Sequence, residues 1–596
     1  MKKGIKGRFA ILGLALFLSV VTGFPSSSLS AGSFPVNFYY EKYVSKGDLV
    51  YMETVSVREL LNHLKSFYLA LRGDEGANEL MMLGPTLQKE IGINPMDPEA
   101  LKKIGINIAA PLGMVVKEAD LSADPLQPGK KLKKMVKGFI VFLPARNSKT
   151  LYDYFRLMLA RKDEMNQKAG KAPANFKEIQ KNKLFGSETR RVFVARGDKF
   201  VVVADNQENA LRYTAKSSSP ISADPKFVLF KKESRRHYGA MKNISMMFNW
   251  NQSEVDLTGL AAKKPTEFVT GMNFNLALAK ELAENVTGSG GIGIINADGI
   301  SYKSLTLYRA GYMTDSSKMY PKIILKEGRP LLADYMRINP VFYLNLKVNF
   351  PEFLNMMGMM DPNFKKQMEA MQTETKTKIG MDINEDFFQN IQGSITLLLS
   401  EFPPNGKMMN ELANWQGSLS VGYKKEKAAV LKQFIEKMFA ESEKTDKNMR
   451  LKSAKMGSGV LYTIENEKTL PKPPGDQSPP VKKVEYFYLY MGEEEAIMSF
   501  NREHIDTVLK AVKGATLMGS LLKISPTDQN RTKVVFYLNV DAVRVFVTRT
   551  PLAFMAMPVL PYVQNIDNFH ITATEGKDLF LSEMNLRLKK TRVKGK

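Results

Sequence analysis

The chain of 596 residues contains no cysteine and only four histidines. Without thiols it has no disulfide framework, no cysteine-ligated zinc or iron–sulfur site, no thiol nucleophile and no lipidated N-terminal cysteine. The histidines lack H-x-x-x-H and H-E-x-x-H spacings, so a zinc site is not expected. With 44% hydrophobic and 24% charged residues, the composition is that of a folded globular chain.

Catalytic and cofactor motifs are also missing. The sequence has no G-x-S-x-G nucleophile elbow and no G-x-x-x-x-G-K-[ST] phosphate loop. Gly288, Gly290 and Gly293 have dinucleotide-fingerprint spacing, but a predicted helix precedes them and a predicted strand follows, the reverse of the required order. We therefore expect a helix-to-strand connection there, with no cofactor.

A second partial motif has an equally simple explanation. Asp382, Asn384 and Asp386 imitate the start of a calcium loop, but Phe387 stands where that loop needs glycine. Helix capping explains these residues better. The sequence therefore predicts no catalytic, cofactor-binding or metal-binding residues, and it leaves an enzyme with a dispersed active site as an open alternative.

The first 31 residues have the order of a secretory signal peptide. Four cations precede an apolar stretch over residues 9–24, and small residues follow, with cleavage expected near Ala31. The stretch is shorter than the roughly 18 to 20 residues that span a bilayer, so no transmembrane helix is expected in the mature chain. The segment holds four cations and no acid, so the net charge of +24 falls to +20 without it.

Export would place this basic protein where nucleic acid is scarce. The expected location is the periplasm or another envelope-associated, extracytoplasmic site. The expected partners are anionic lipid, lipopolysaccharide or an acidic envelope polymer, with an envelope protein as a further possibility. A basic surface that serves only solubility is the competing interpretation.

The sequence also repeats itself. A strand, a capping residue and a helix over residues 49–60 recur over residues 341–353. Five further anchors follow in the same order: 91–94 with 379–382, 138–159 with 417–438, 192–206 with 488–501, 246–249 with 536–539, and 299–307 with 576–586. We predict an α+β fold of two tandem duplicated domains, residues 34–330 and 331–596, with mostly antiparallel sheets covered by amphipathic helices.

Two segments depart from this repeat. Residues 470–483 form a proline-rich loop, which we expect to be exposed or to serve as a recognition segment for a protein partner. Residues 587–596 form a basic C-terminal tail, which is either solvated or an electrostatic tether.

Methionine is unusually common, with 34 copies. Helical spacing favours core packing for the cluster near residue 357, while an adaptable apolar contact surface and a copper(I) site are the alternatives. A second apolar segment covers residues 551–563. The candidate apolar contact residues are Met356, Met357, Met359, Met360, Phe554 and Met557.

Basic residues cluster in three places along the chain. The candidate contacts to an anionic surface are Lys130, Lys131, Arg235, Arg236, Lys589, Lys590 and Arg592.

The signal peptide, the missing catalytic motifs and the hairpin-and-helix modules occur together, as in the strand from Lys199 to Ala204 that leads to a capped helix. This pattern resembles large secreted bacterial proteins of the domain-of-unknown-function class with duplicated modules. The resemblance implies an extracytoplasmic location and assigns no functional residue.

The sequence thus predicts a non-enzymatic protein that binds an anionic or amphiphilic envelope component. A protein-interaction scaffold or chaperone-like module of the envelope is the main alternative, and the dispersed-site enzyme is the other.

Overall fold

The computed structural model describes residues 38–119, 136–241, 244–250, 281–282, 284–324, 340–360, 362–403, 414–469, 482–510, 526–550 and 560–590, with single residues 522, 524, 553 and 557. The chain forms two compact units. Unit 1 comprises Met1–Lys264, Ala283–Arg309 and Asn585–Lys596, and unit 2 comprises Pro265–Leu282 and Ala310–Met584. The predicted division at residues 330 and 331 stays a prediction.

In the described residues, unit 1 is built on ten strands. They are β1 (Val50–Ser56), β2 (Pro111–Ala119), β3 (Val136–Pro144), β4 (Lys177–Gln180), β5 (Leu184–Ser187), β6 (Val192–Arg196), β7 (Phe200–Ala204), β8 (Ile244–Trp250), β9 (Val286–Asn296) and β10 (Gly299–Tyr308). Neighbouring strands run antiparallel in the order β4-β5-β6-β7-β3-β2-β1-β8-β9-β10.

Six α-helices accompany these strands in the part of unit 1 that the structure describes. They are α1 (Val57–Arg72), α2 (Asp74–Ile91), α3 (Pro98–Lys103), α4 (Ser148–Lys168), α5 (Gln207–Arg212) and α6 (Pro225–Tyr238). Helices α1 and α6 pack against β9.

Unit 2 is built on a second set of strands. They are β11 (Phe342–Lys347), β12 (Ile391–Glu401), β13 (Gln416–Tyr423), β14 (Met449–Met456), β15 (Gly459–Thr469), β16 (Lys482–Met491), β17 (Glu495–Ser499), β18 (Thr532–Asn539), β19 (Ile566–Gly576) and β20 (Leu579–Leu588). Their order is β14-β15-β16-β17-β13-β12-β11-β18-β19-β20, antiparallel from β14 to β19. Strand β20 ends in unit 1, where the Leu588 N–H donates to Asp298 O at 2.9 Å.

The helices of unit 2 are α7 (Met319–Ile323), α8 (Phe350–Met360), α9 (Pro362–Ile379), α10 (Ala428–Thr445), α11 (Arg502–Leu509), α12 (Pro526–Arg531), α13 (Val540–Thr548) and α14 (Leu560–Val563). The predicted mixture of helices with mostly antiparallel strands is thereby confirmed.

Three of the predicted caps are present where strands pass into helices. Ser56 Oγ accepts a hydrogen bond from the Glu59 N–H at 3.2 Å at the start of α1. Asn206 caps α5 and Asn501 caps α11 in the same way, with distances of 2.8 and 3.1 Å to the N–H three residues on. Each of these two helices follows a hairpin, β6–β7 or β16–β17, as the sequence predicts. Side-chain acceptors therefore satisfy N–H groups that would otherwise lack partners at a helix start.

The expected helix-to-strand connection at residues 288–293 is wrong, because these residues lie inside β9. A Cβ atom at Gly290 would lie 2.3 Å from Phe248 O, and one at Gly291 would lie 2.1 Å from Lys303 O. Glycine is needed here because two neighbouring backbones approach closely, which is a use of glycine inside strands.

Candidate functional site

One face of the unit 2 sheet carries a row of apolar side chains. In antiparallel pairs, directly opposed residues point to the same face of a sheet. Leu397 of β12 is opposite Leu344 of β11 and Leu419 of β13. Leu419 is also opposite Met498 of β17, and Leu344 is also opposite Phe536 of β18. We call these five residues the apolar row.

Residues two positions away along each strand point to the same face as the apolar row. They are apolar as well: Phe342, Leu399 and Leu538 on one side, and Leu346, Ile395, Val421 and Val534 on the other. Along each of β11, β12 and β18, three neighbouring residues on this face are therefore aliphatic or aromatic.

The opposite face of the same strands is buried, and it carries Leu398, Val535 and Tyr537 of a hydrophobic core cluster. Polar side chains share this face, each at most 4% exposed: Asn345, Lys347, Ser394, Thr396, Ser418 and Ser420. Asn345 Nδ2 donates to Thr396 Oγ1 at 2.7 Å, which satisfies one of these groups internally. Antiparallel sheets with one solvated face normally carry polar residues on that face. In unit 2, the face with Tyr343 packs with Ile505 and Val508 of the core cluster, and the face with Leu397 stays partly open although it is apolar.

Burial controls the charge of two groups on or against this buried face. His504 of α11 lies with Nε2 3.0 Å from Ser418 Oγ, and burial lowers the pKa of His504 to about 4. Lys347 Nζ donates to the backbone oxygen of Gln529 at 2.7 Å. Burial, together with the nearby charge of Lys533, lowers the pKa of Lys347 to about 7. Both side chains are at most 2% exposed, so they hold the buried face together and are closed to a dissolved substrate.

The apolar row is open at its centre. The exposed fraction is 44% for Leu397 and 36% for Leu419. At the matching strand positions of unit 1, Met114 of β2, which matches Leu397, is 7% exposed, and Phe248 of β8, which matches Phe536, is 5% exposed. Val141 of β3, which matches Leu419, is half-buried. The apolar face is therefore more fully covered in unit 1 than in unit 2.

Other elements cover the two ends of the apolar row. Toward β16, Leu431 of α10 packs in a cluster with Leu489, and Met498 lies against that cluster. Toward β19, the Phe536 ring lies 5.4 Å from Phe342 and 5.9 Å from Phe569. Helix α13 packs on β19. Leu397 and Leu419 thus form an exposed aliphatic floor between two covered regions.

A second candidate surface lies on helix α6 in unit 1. The Asp224 side chain accepts from the Lys226 N–H at 2.9 Å, and Pro225 occupies the first turn, which fixes the start of the helix. The inward side is buried through Phe227, Phe230, Ser234 and Tyr238. The outward side exposes Val228, Leu229, Lys232, Arg235 and Arg236.

Four of the seven predicted contacts to an anionic surface lie among the described residues. Arg235 and Arg236 are neighbours on the outward side of α6, and both are exposed. Lys589 is half-buried and Lys590 is exposed, directly after β20. Lys130, Lys131 and Arg592 lie outside the described residues, as do residues 1–31 and residues 470–481 of the predicted proline-rich loop.

The predicted apolar contacts do not belong to the apolar row. Met356 and Met357 are half-buried on α8, which packs on β12. Met557 is 56% exposed. Phe554 lies outside the described residues, and so do the side chains of Met359 and Met360.

Sequence reasoning missed Leu397 and Leu419. The available signal was the alternation in β11 and β12, where Tyr343, Asn345 and Thr396 alternate with aliphatic residues. That pattern separates the two faces, but it does not reveal that the face with Tyr343 is the buried one.

In the described part of the chain, no group of three or more His, Asp or Glu side chains could hold a metal ion. At the calcium-like motif, Asp382 Oδ1 accepts from the Asn384 N–H at 2.8 Å, which confirms the capping interpretation. No helix within the described ranges is long and apolar enough to cross a membrane.

Comparison with known proteins finds no matching family model, no matching curated protein and no matching solved structure.

Proposed function

We propose that the protein is a non-enzymatic binding protein for an amphiphile, whose apolar chain lies on the exposed part of the apolar row. The observation that carries this proposal is the pair of opposed leucines left open on the apolar face of the unit 2 sheet. Leu397 and Leu419 are 44% and 36% exposed, while the other face of the same strands is buried. An exposed apolar patch of this kind is characteristic of a binding surface.

The energy available at this floor is modest but sufficient for an aliphatic ligand. Full burial of a leucine side chain contributes about 1.5–3 kcal/mol, so covering the exposed parts of Leu397 and Leu419 contributes about 1 kcal/mol each. Each methylene of a ligand chain adds about 0.8 kcal/mol when it leaves water. A chain lying along the floor therefore gains affinity from both partners, while its polar end stays in solvent.

We further propose that the ligand is a component of the cell envelope. Support comes from the sequence: residues 1–31 have the order of a signal peptide, and the chain keeps a net charge of +20 once the four cations of that segment are removed from +24. Anionic lipid, lipopolysaccharide and acidic envelope polymers fit that charge.

The two units are proposed to be a tandem duplication. The ordered sequence anchors support this, and so does the identical strand order, in which each strand of unit 1 corresponds to the strand ten places later in unit 2. On this proposal, unit 2 acquired the open face after the units diverged.

A protein-interaction scaffold is the second candidate. Val484 and Tyr486 on β16 are 40% and 41% exposed, and their strand follows directly after the proline-rich segment. Deleting residues 470–481 would remove captured envelope proteins on this alternative, and it would leave binding of the amphiphile unchanged on the first proposal.

The experiment for the amphiphile is a fluorescence titration of the full chain with a dansyl-labelled fatty acid. The double variant Leu397→Gln and Leu419→Gln should bind the probe at least tenfold more weakly, because polar groups replace the aliphatic floor. The matched control is Leu157→Gln with Met165→Gln on α4, where both side chains are 61% exposed. The control should bind as the wild type does, and equal binding by all three proteins would overturn the proposal.

A further inference from the structure

Helix α6 presents one outward face of two aliphatic and three cationic residues. At 3.6 residues per turn, Val228, Lys232 and Arg235 lie nearly in line, with Leu229 and Arg236 beside them, within an arc of about 120°. The four buried residues of the helix occupy the other side. We call Val228, Leu229, Lys232, Arg235 and Arg236 the α6 outward face.

The aliphatic members of this face are accessible although they lie on a well-packed helix. Val228 is 49% exposed and Leu229 is 37% exposed. The inward side chains Phe227 and Phe230 are at most 1% exposed, so the helix is held on unit 1 and presents its outward side as a rigid surface.

The charge on the α6 outward face is positive. Lys232, Arg235 and Arg236 are exposed in its C-terminal half. The nearest acid on the helix is Glu233 at the margin, whose Oε2 lies 3.4 Å from Arg236 Nη1. The other marginal cation, Lys231, is half-buried, and its Nζ lies 2.7 Å from Glu41 Oε2.

Aliphatic and cationic residues on one rigid face match the chemistry of an anionic lipid surface. A dissolved polyanion requires only the cations, and an apolar protein patch requires only the aliphatic residues. At a lipid–water interface, aliphatic and cationic residues both contribute to binding, because side chains such as leucine enter the headgroup boundary while cations contact phosphate groups.

We propose that the α6 outward face docks on an anionic lipid surface. Val228 and Leu229 enter the headgroup region, and Lys232, Arg235 and Arg236 contact lipid phosphates. This docking goes beyond the binding of an amphiphile proposed for unit 2, because it uses different residues on a different unit. Either activity can fail while the other remains.

The test is co-sedimentation of the full chain with vesicles of phosphatidylglycerol and phosphatidylcholine, compared with vesicles of phosphatidylcholine alone. The variant Arg235→Gln with Arg236→Gln should bind the anionic vesicles about thirtyfold more weakly, the loss expected for two cations at about 1 kcal/mol each. The variant Val228→Ser with Leu229→Ser should bind about tenfold more weakly, and this loss should persist in high salt.

The matched control is Lys365→Gln with Lys366→Gln on α9, where both lysines are exposed and the same charge is removed. It should sediment as the wild type does. An equal loss in the control would assign binding to net charge alone, and unchanged binding by both α6 variants would remove the face from membrane contact. If the chain bound heparin as tightly as vesicles and the aliphatic variant had no effect, a polyanion would be the partner. Each of these three results overturns the proposal.

Discussion

At the scale of single residues, Glu53 holds the first described segment of the chain onto unit 1. Its carboxylate is 2% exposed and accepts from the backbone N–H groups of Tyr39 and Tyr40 at 2.8 and 2.6 Å, and from the Tyr51 hydroxyl. Despite these donors, burial raises the pKa of Glu53 to about 7. The carboxyl group therefore titrates near neutral pH inside the folded protein.

A pH dependence of stability follows from this buried acid. The folded-state pKa of Glu53 is about 7, above the ordinary value of 4.5. Between these two pH values, the folded state therefore keeps a proton on Glu53 that the unfolded state has released. The free energy of unfolding of unit 1 should fall by about 3 kcal/mol as pH rises from 4.5 to 8. The variant Glu53→Gln should lack this loss.

The measurement is denaturant unfolding of both proteins at several pH values. The chain has two tryptophans, Trp250 in unit 1 and Trp415 in unit 2, so a Trp415→Phe background reports on unit 1. His504 contributes with the opposite sign in unit 2, since its lowered pKa makes stability rise with pH from about 4 to 6.5. Parallel pH profiles for wild type and Glu53→Gln would contradict the assignment.

At the scale of elements, strand β9 shows what a pattern of residues can miss. The glycines over residues 288–293 suggested a connection between elements because glycine usually breaks strands. In the folded unit, they let the neighbouring strands come close, and that closeness depends on partners such as Lys303 of β10 and Phe248 of β8. Those pairings form only in the folded unit, so the local sequence does not predict them.

The variant Gly291→Ala should destabilise unit 1 by about 2 kcal/mol, because its Cβ would lie 2.1 Å from Lys303 O and must displace backbone. Gly47→Ala is the matched control, since nothing lies within 4 Å of its added Cβ. Thermal unfolding of the two variants measures the difference. Equal unfolding midpoints would show that the close approach in β9 is relaxed without cost.

The central strands of unit 2 show the same limit for the candidate site. Alternation along β11 and β12 separates the two faces of each strand. It would ordinarily place the leucines inside, because apolar faces are normally the buried ones. The structure instead packs α11 over the face that carries Tyr343, through Ile505 and Val508. The site therefore emerged from packing between distant segments.

Cap residues and part of one helix surface are easier to predict from the sequence. The caps at Ser56 and Asn206 were predicted from residues within a single turn, and the structure confirms them. Arg235 and Arg236 were selected as a basic cluster, but the contribution of Val228 and Leu229 required knowledge of which side of α6 is buried. The sequence shows which residue types are close together along the chain, but it does not show which side of a helix or strand is buried.

At the scale of the whole molecule, two units with one strand order differ in one physical respect. Unit 1 covers its apolar face on both sides of β1, whereas unit 2 leaves Leu397 and Leu419 accessible. The chain returns to unit 1 near its end, because Asn585–Lys596 belongs to that unit. This brings together residues that are nearly three hundred positions apart in the sequence. Such pairing lies beyond any local sequence pattern. Export and the identity of the ligand remain predictions.

The central claim is that an apolar ligand chain lies on the floor formed by Leu397 and Leu419. Photo-crosslinking of the full chain with a diazirine-labelled fatty acid, followed by mapping of labelled peptides by mass spectrometry, tests it most directly. The account predicts adducts concentrated in β12 and β13, which are lost when Leu397→Gln and Leu419→Gln are combined and kept in Leu157→Gln with Met165→Gln. Adducts confined to other segments, or unchanged in the floor variant, would contradict it.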